Sequence, residues 1–169
     1  MFFGVSTLQT FHVLISLIGI VAGLVVLFGM LSSRRMSGLT AIFLVTTLLT
    51  TLTGFVFPIS VFTPAIGVGI ISTLVMIVAL YARYGARMAG RWRGIYVVTA
   101  VVSLYLNVFV LVVQLFLKVP SLNALAPNGN EPPFAITQAI VLVFFAVAGF
   151  LANRKFRPEV GPSALPRTA

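Results

Sequence analysis

The chain contains no cysteine, a single histidine and two acidic residues, Glu131 and Glu159. Without cysteine there can be no disulfide, thiolate metal site, cysteine nucleophile or iron–sulfur ligation. The redox compartment is left open. His12 has no second histidine, cysteine or carboxylate close in sequence, so it makes a poor metal ligand, and a bis-histidine haem would need another copy of the chain. The two glutamates stand in separate segments and offer no pair for acid–base work. No G-x-S-x-G, phosphate-binding loop, H-E-x-x-H or dinucleotide fingerprint occurs. The expectation is a non-catalytic protein with no cofactor and no resident metal.

Charge itself is scarce. Only 8% of the 169 residues are charged, against about 25% in soluble domains. A surface built from this inventory could not be solvated by water, which excludes an ordinary soluble fold. Intrinsic disorder is excluded too, since it needs low hydrophobicity.

What is present is apolar: 60% of residues are hydrophobic and mean hydropathy is +1.15. A bilayer core takes about 20 apolar residues per helix. Residues 1–33 are uncharged, residues 36–82 hold room for two crossings, and Pro58 and Pro64 mark the turn between them. The spacing predicts an all-α bundle of five transmembrane helices over roughly residues 8–31, 38–57, 64–84, 94–118 and 134–153. The first span is expected to be an uncleaved anchor: it lacks a basic leader and its apolar run is too long for a signal peptide. Residues 1–155 form one domain in this reading, and residues 156–169, with Pro158, Pro162 and Pro166, a flexible tail. The longest loop, 119–133, is rich in Pro and Asn and is expected to be an ordered turn with a short helix near 121–125.

The net charge of +9 rests on 11 basic residues. Arg34 and Arg35 follow span one, Arg83, Arg87, Arg91 and Arg93 lie between spans three and four, and Arg154, Lys155, Arg157 and Arg167 follow span five. Five crossings put all of these on one side and leave Lys118 alone on the other. Positive-inside bias then places the N-terminus outside and the C-terminus in the cytoplasm. Bases confined to such patches form no continuous groove, so nucleic acid is not expected as a partner. Trp92, Tyr81, Tyr84 and Tyr96 suit the cytoplasmic interface, and anionic lipid or a protein could also meet the Trp92 region.

At 100° per residue the polar positions gather on faces. Ser103, Asn107, Gln114 and Lys118 share an arc of about 60° in span four; Gln9, His12, Ser16, Gly19 and Gly23 share about 80° in span one. Thr40, Thr47, Thr51, Gly54 and Pro58 share about 60° in span two, and Ala65, Gly69, Ser72, Met76 and Ala79 about 80° in span three. These faces are expected to meet, since small residues let helices approach in lipid and polar side chains bond across. Gly19 and Gly23 suit packing within the monomer or a dimer seam. The polar side chains concentrate toward the outer half, which predicts an outward-facing, weakly cationic recess between spans one, four and five. His12, Ser16, Asn107, Gln114, Lys118 and Gln138 are its candidate ligand-binding residues. The competing reading is structural: interhelical bonds, threonines bonded to their own helix, and Lys118 reaching to the interface. Glu131 is expected to pair with Lys118 or to cap span five.

The segments Tyr105-Leu-Asn107, Gln114-Leu-Phe-Leu-Lys118-Val-Pro120, Leu122-Asn-Ala-Leu-Ala-Pro127 and Glu131-Pro-Pro-Phe134 resemble small uncharacterised polytopic bacterial inner-membrane proteins. The resemblance implies a multi-pass protein of that membrane and no substrate. Two functions follow as expectations. One is an accessory or assembly subunit, or a self-associating helical bundle, with a protein partner or a second copy. The other is a binding or permeation protein holding an anion, a lipid head group or a quinone-like molecule in the outer recess.

Overall fold

The computed structural model describes residues 7–57 and 64–157, and these are all-helical apart from turns. Six helices follow in order: α1 (Thr7–Leu31), α2 (Ser37–Gly54), α3 (Pro64–Leu80), α4 (Trp92–Lys118), α5 (Pro120–Asn123) and α6 (Pro132–Lys155). A π-helical turn, Tyr81–Gly85, prolongs α3. Five stretches are long and apolar enough to cross a membrane: α1, α2, Ile66–Gly85, α4 and α6. With 18 residues, α2 is the shortest, about 27 Å at 1.5 Å per residue. Long apolar helices therefore stand where the five spans were expected. The second stops at Gly54, short of the expected 57, and Pro58 lies outside the described residues.

Local chemistry sets the ends. The C-terminus of α1 closes on Ser33, whose φ of 55° is left-handed, while Ser33 N–H and Arg34 N–H donate to Met30 O (3.1 Å) and Gly29 O (2.8 Å). This is a Schellman closure, which satisfies the last carbonyls and turns the chain sharply. After the π turn, Arg87 (φ 50°), Met88 (φ 57°) and Gly90 (φ 52°) are all left-handed. For the two non-glycine residues this costs about 1–3 kcal/mol each. Burial of the Met88 side chain and its N–H bond to Ala82 O at 2.9 Å hold the turn. Pro132 and Pro133 open α6, where a missing N–H does no harm.

The helix α4 is the hub and touches α1, α2, α3 and α6, while α1 and α2 form the most extensive single pair. Glycine makes that pair close. A Cβ at Gly19 would lie 2.9 Å from Thr46 Oγ1, and one at Gly23 would lie 2.6 Å from Leu104 Cδ1 and 2.8 Å from Phe43 Cδ2. The Gly19/Gly23 seam is thus occupied inside the monomer, by α2 and α4, and is closed to a partner copy. Gly69 meets the Phe55 ring of the α2 end, with its would-be Cβ 3.1 Å from Cζ, and Ser72 is half-buried beside it on α3. The main core joins Leu27, Phe43, Leu44, Met76, Tyr96, Val97, Leu104 and Phe145. A smaller cluster of Val112, Phe116 and Ala126 seats the short α5 region on the ends of α4 and α6. The remaining surface is unusually apolar: Ile18, Val21, Leu74, Ile77, Ile140 and Val143 are each more than half exposed. Apolar helices of this kind suit contact with lipid, which solvates such side chains where water does not.

The basic segments meet at one end of the bundle. Arg34, Arg35, Arg83 and Phe156 line one cavity, and Arg157 N–H donates to Ser33 Oγ at 3.0 Å. Phe156, expected in the flexible tail, is buried against the core; residues 158–169, with the three tail prolines, Glu159 and Arg167, lie outside the described residues.

Introducing a branched side chain at the α1–α2–α4 crossing should overpack it. Gly23→Val is expected to destabilise the fold by about 1–3 kcal/mol, whereas Gly38→Ala, with nothing within 4 Å of its would-be Cβ, should be neutral or mildly stabilising. Thermal unfolding in detergent separates them; equal midpoints for the two variants contradict the packing described.

Candidate functional site

The sequence-predicted site residues gather toward the Lys118 end, but around a different neighbour. His12 Nδ1 lies 2.8 Å from Thr53 Oγ1 on α2, and its ring meets Phe57 edge-on at 5.3 Å. The Thr53 hydroxyl already donates to Leu49 O at 2.7 Å. Its oxygen therefore accepts from His12 Nδ1–H. Asn107 Nδ2 donates to Thr47 Oγ1 at 3.2 Å, again on α2. Gln138 Nε2 donates to Phe109 O of α4 at 3.2 Å, and its Oε1 is buried without a partner. Ser16 Oγ donates within its own helix to Val13 O at 2.8 Å.

Thus α2 forms a wall that sequence reasoning had assigned to spans four and five. The signal was available in its threonines. Thr46, Thr50, Thr51 and Thr53 bond carbonyls one turn back in their own helix, as expected for threonine in an apolar helix. Thr47 and Thr53 in addition accept bonds from neighbouring helices. Gln114 and Lys118 are exposed and make no hydrogen bond among the described residues. This arrangement can offer neutral hydrogen bonds and one cation; its single imidazole lacks a carboxylate to act with.

Glu131 meets one of the two expectations, standing at the positive end of α6, and forms no ion pair with Lys118 among the described residues. It occupies the N-cap position of α6 without a side-chain bond to the helix. Its Oε1 accepts from Asn128 N–H at 3.0 Å and Asn128 Nδ2 at 2.7 Å, and its Oε2 from Asn130 N–H at 3.1 Å. The carboxylate braces the Asn128-Gly129-Asn130 turn, where Gly129 takes a φ of 72°. Partial desolvation works to raise the Glu131 pKa, but these hydrogen bonds outweigh it and hold the carboxyl below the ordinary glutamate range.

The opposite end carries an arrangement that sequence reasoning missed. Arg93 Nη1 donates to Asn153 O (2.9 Å) and Phe156 O (2.6 Å), tying the start of α4 to the end of α6. Beside it an open groove of about 460 Å³ is lined by Gly90, Arg91, Gly94, Ile95 and Val98. Arg83 crosses from the π turn toward the α1–α2 connection. Its Nη2 donates to Ser37 Oγ at 3.3 Å and its Nη1 to Met88 Sδ at 3.5 Å, while Cζ lies 5.6 Å from the Tyr96 ring centroid. Tyr96, only 1% exposed, has Thr40 of α2 as a side-chain hydrogen-bond partner. Helical periodicity could place Arg83 and Arg34 at the same end, but could not show that they converge.

No protein-family model, curated protein or solved structure matches this chain. Its function must therefore be argued from its own geometry.

The Glu131 brace gives a pH dependence of definite sign. A carboxyl whose folded pKa is depressed stabilises the fold above its unfolded value, and that contribution fades as pH falls through the folded value. Amide exchange of residues 126–131 is expected to stay slow until the pH drops below the ordinary glutamate range and then to accelerate. Glu131→Gln should exchange faster at neutral pH and lose the acid dependence; an unchanged profile in that variant refutes the brace.

Proposed function

We propose that this chain is a non-catalytic multi-pass membrane component, an accessory or self-associating subunit of a bacterial inner membrane, with its arginine-rich end in the cytoplasm. The orientation rests on positive-inside bias acting on bases that meet at one end of the bundle. The observation that carries the reading is the employment of the polar side chains. His12, Asn107 and Gln138 bond neighbouring helices, and Ser16 bonds its own. These residues assemble the bundle and converge on no reacting group.

Association has a specific surface available. With the glycine seam closed, the outward ridge of α6 remains. Ile136, Ile140, Val143, Val147 and Phe150 are each more than half exposed. They recur at alternating steps of four and three, within an arc of about 80°, the spacing at which side chains of one helix interdigitate with another. Lipid serves as the surroundings of this ridge wherever no partner helix does.

A second reading, ligand binding at the outer end, is favoured by one observation: Gln114 and Lys118, one turn apart on α4, are exposed and unbonded among the described residues. An anion, a lipid head group or a quinone-like molecule would suit them.

The first reading is tested by native mass measurement of the chain extracted directly into lipid nanodiscs. A defined species heavier than the 18.1 kDa monomer is expected, as a homo-oligomer or a stoichiometric complex. Ile140→Trp with Val147→Trp should return it to the monomer mass. A lone monomer from the outset overturns the reading.

A further inference from the structure

We propose that the cavity between the α1–α2 connection, the π turn and the start of α4 is a binding site for a phosphate-class oxyanion. Its walls include Arg34, Arg35, Thr40, Arg83, Tyr96 and Phe156, and it encloses about 10 Å³, room for about one water, so the oxyanion seats over its opening and not wholly inside it. Three arginines thus line one space. No carboxylate answers them among the described residues: Glu131 sits at the other end in its own loop, and Glu159 lies outside those residues.

Arg83 is the most telling of the three. It is half-buried, and its Nε is shut off from solvent with no hydrogen-bond partner. Its two other contacts are a hydroxyl at 3.3 Å and a thioether sulfur at 3.5 Å, both weak acceptors for a cation. The guanidinium is packed against Tyr96 and Tyr84, with Cζ 5.6 Å and 6.0 Å from the ring centroids. That packing fixes the fork and leaves its donors under-used. A planar fork held in place, with two exposed arginines lining the same cavity, matches the paired oxygens of a phosphate. An anion there also relieves the mutual repulsion of three like charges. The cavity stands at the end of the apolar helices, where the bases gather, so the oxyanion can come from an anionic lipid head group or from free phosphate.

The test uses the full chain in a nonionic detergent at low ionic strength, with the thermal midpoint followed as phosphatidylglycerol, phosphatidylcholine or inorganic phosphate is added. Phosphatidylglycerol or inorganic phosphate is expected to raise the midpoint. Phosphatidylglycerol alone identifies a lipid source, and an equal response to inorganic phosphate identifies the free anion. Arg34→Gln with Arg35→Gln removes charge from exposed positions that the fold does not need, and Arg83→Lys keeps the charge but loses the fork. Each should weaken the apparent affinity about tenfold or more, the loss of one or more charge-assisted hydrogen bonds. Arg87→Gln with Arg154→Gln, an equal charge loss outside the cavity, should leave it unchanged. The proposal is overturned if no anion raises the midpoint, if phosphatidylcholine does as well as phosphatidylglycerol, or if the control pair loses as much as the cavity variants.

Discussion

A polar group carried into hydrocarbon has no water to bond, so it must find its partner inside the protein. Most of this bundle's arrangement follows from that constraint. Helices satisfy their own backbones, and the threonines of α2 return their hydroxyls to carbonyls one turn back. The side chains that cannot be satisfied locally reach across: His12 to Thr53, Asn107 to Thr47, Gln138 to Phe109. Each such bond contributes only about 0.6 kcal/mol on average. Their main effect is therefore to select one rotation for each helix. Lipid and core are equally apolar, so hydrophobicity alone would not choose.

Close approach makes these bonds reachable. Gly19 and Gly23 bring α1 onto Phe43 and Thr46 of α2 and onto Leu104 of α4. Around that crossing α4 gathers the other spans, and Arg93 pins its first turn to the last turn of α6. The same antiparallel threading collects the connections after α1, α3 and α6 at one end, where the bases accumulate beyond the apolar spans. One set of crossings thus accounts for both an apolar middle and a cationic rim.

Uncharged length reveals the spans, because charges interrupt apolar helices only at their ends, and proline marks where α3 and α6 begin. The short helix over Pro120–Asn123 was legible for the same reason. Face composition indicated that Thr40, Thr47 and Thr51 would turn inward, and all three are buried. The choice of partner was not legible. A polar stripe states that a face must be answered, and the answer for His12 and Asn107 is α2; for His12 the glycine seam brings α1 close to it. Glu131 shows a different limit. Three N–H donors within three residues capture its carboxylate before Lys118 can, and that depends on a turn with Gly129 at positive φ. The convergence of Arg83 with Arg34 and Arg35 depends on the π turn and two left-handed residues after α3, which no residue spacing announces.

The threading can be measured directly, because the chain has no cysteine of its own to report. Single cysteines placed at the exposed positions Ser32, Ala89 and Ser121 can be challenged with a membrane-impermeant maleimide in intact cells and in inverted vesicles. Ser32→Cys and Ala89→Cys should react only in inverted vesicles and Ser121→Cys only in intact cells. Labelling of Ser32→Cys and Ala89→Cys from opposite sides of the membrane would contradict the account.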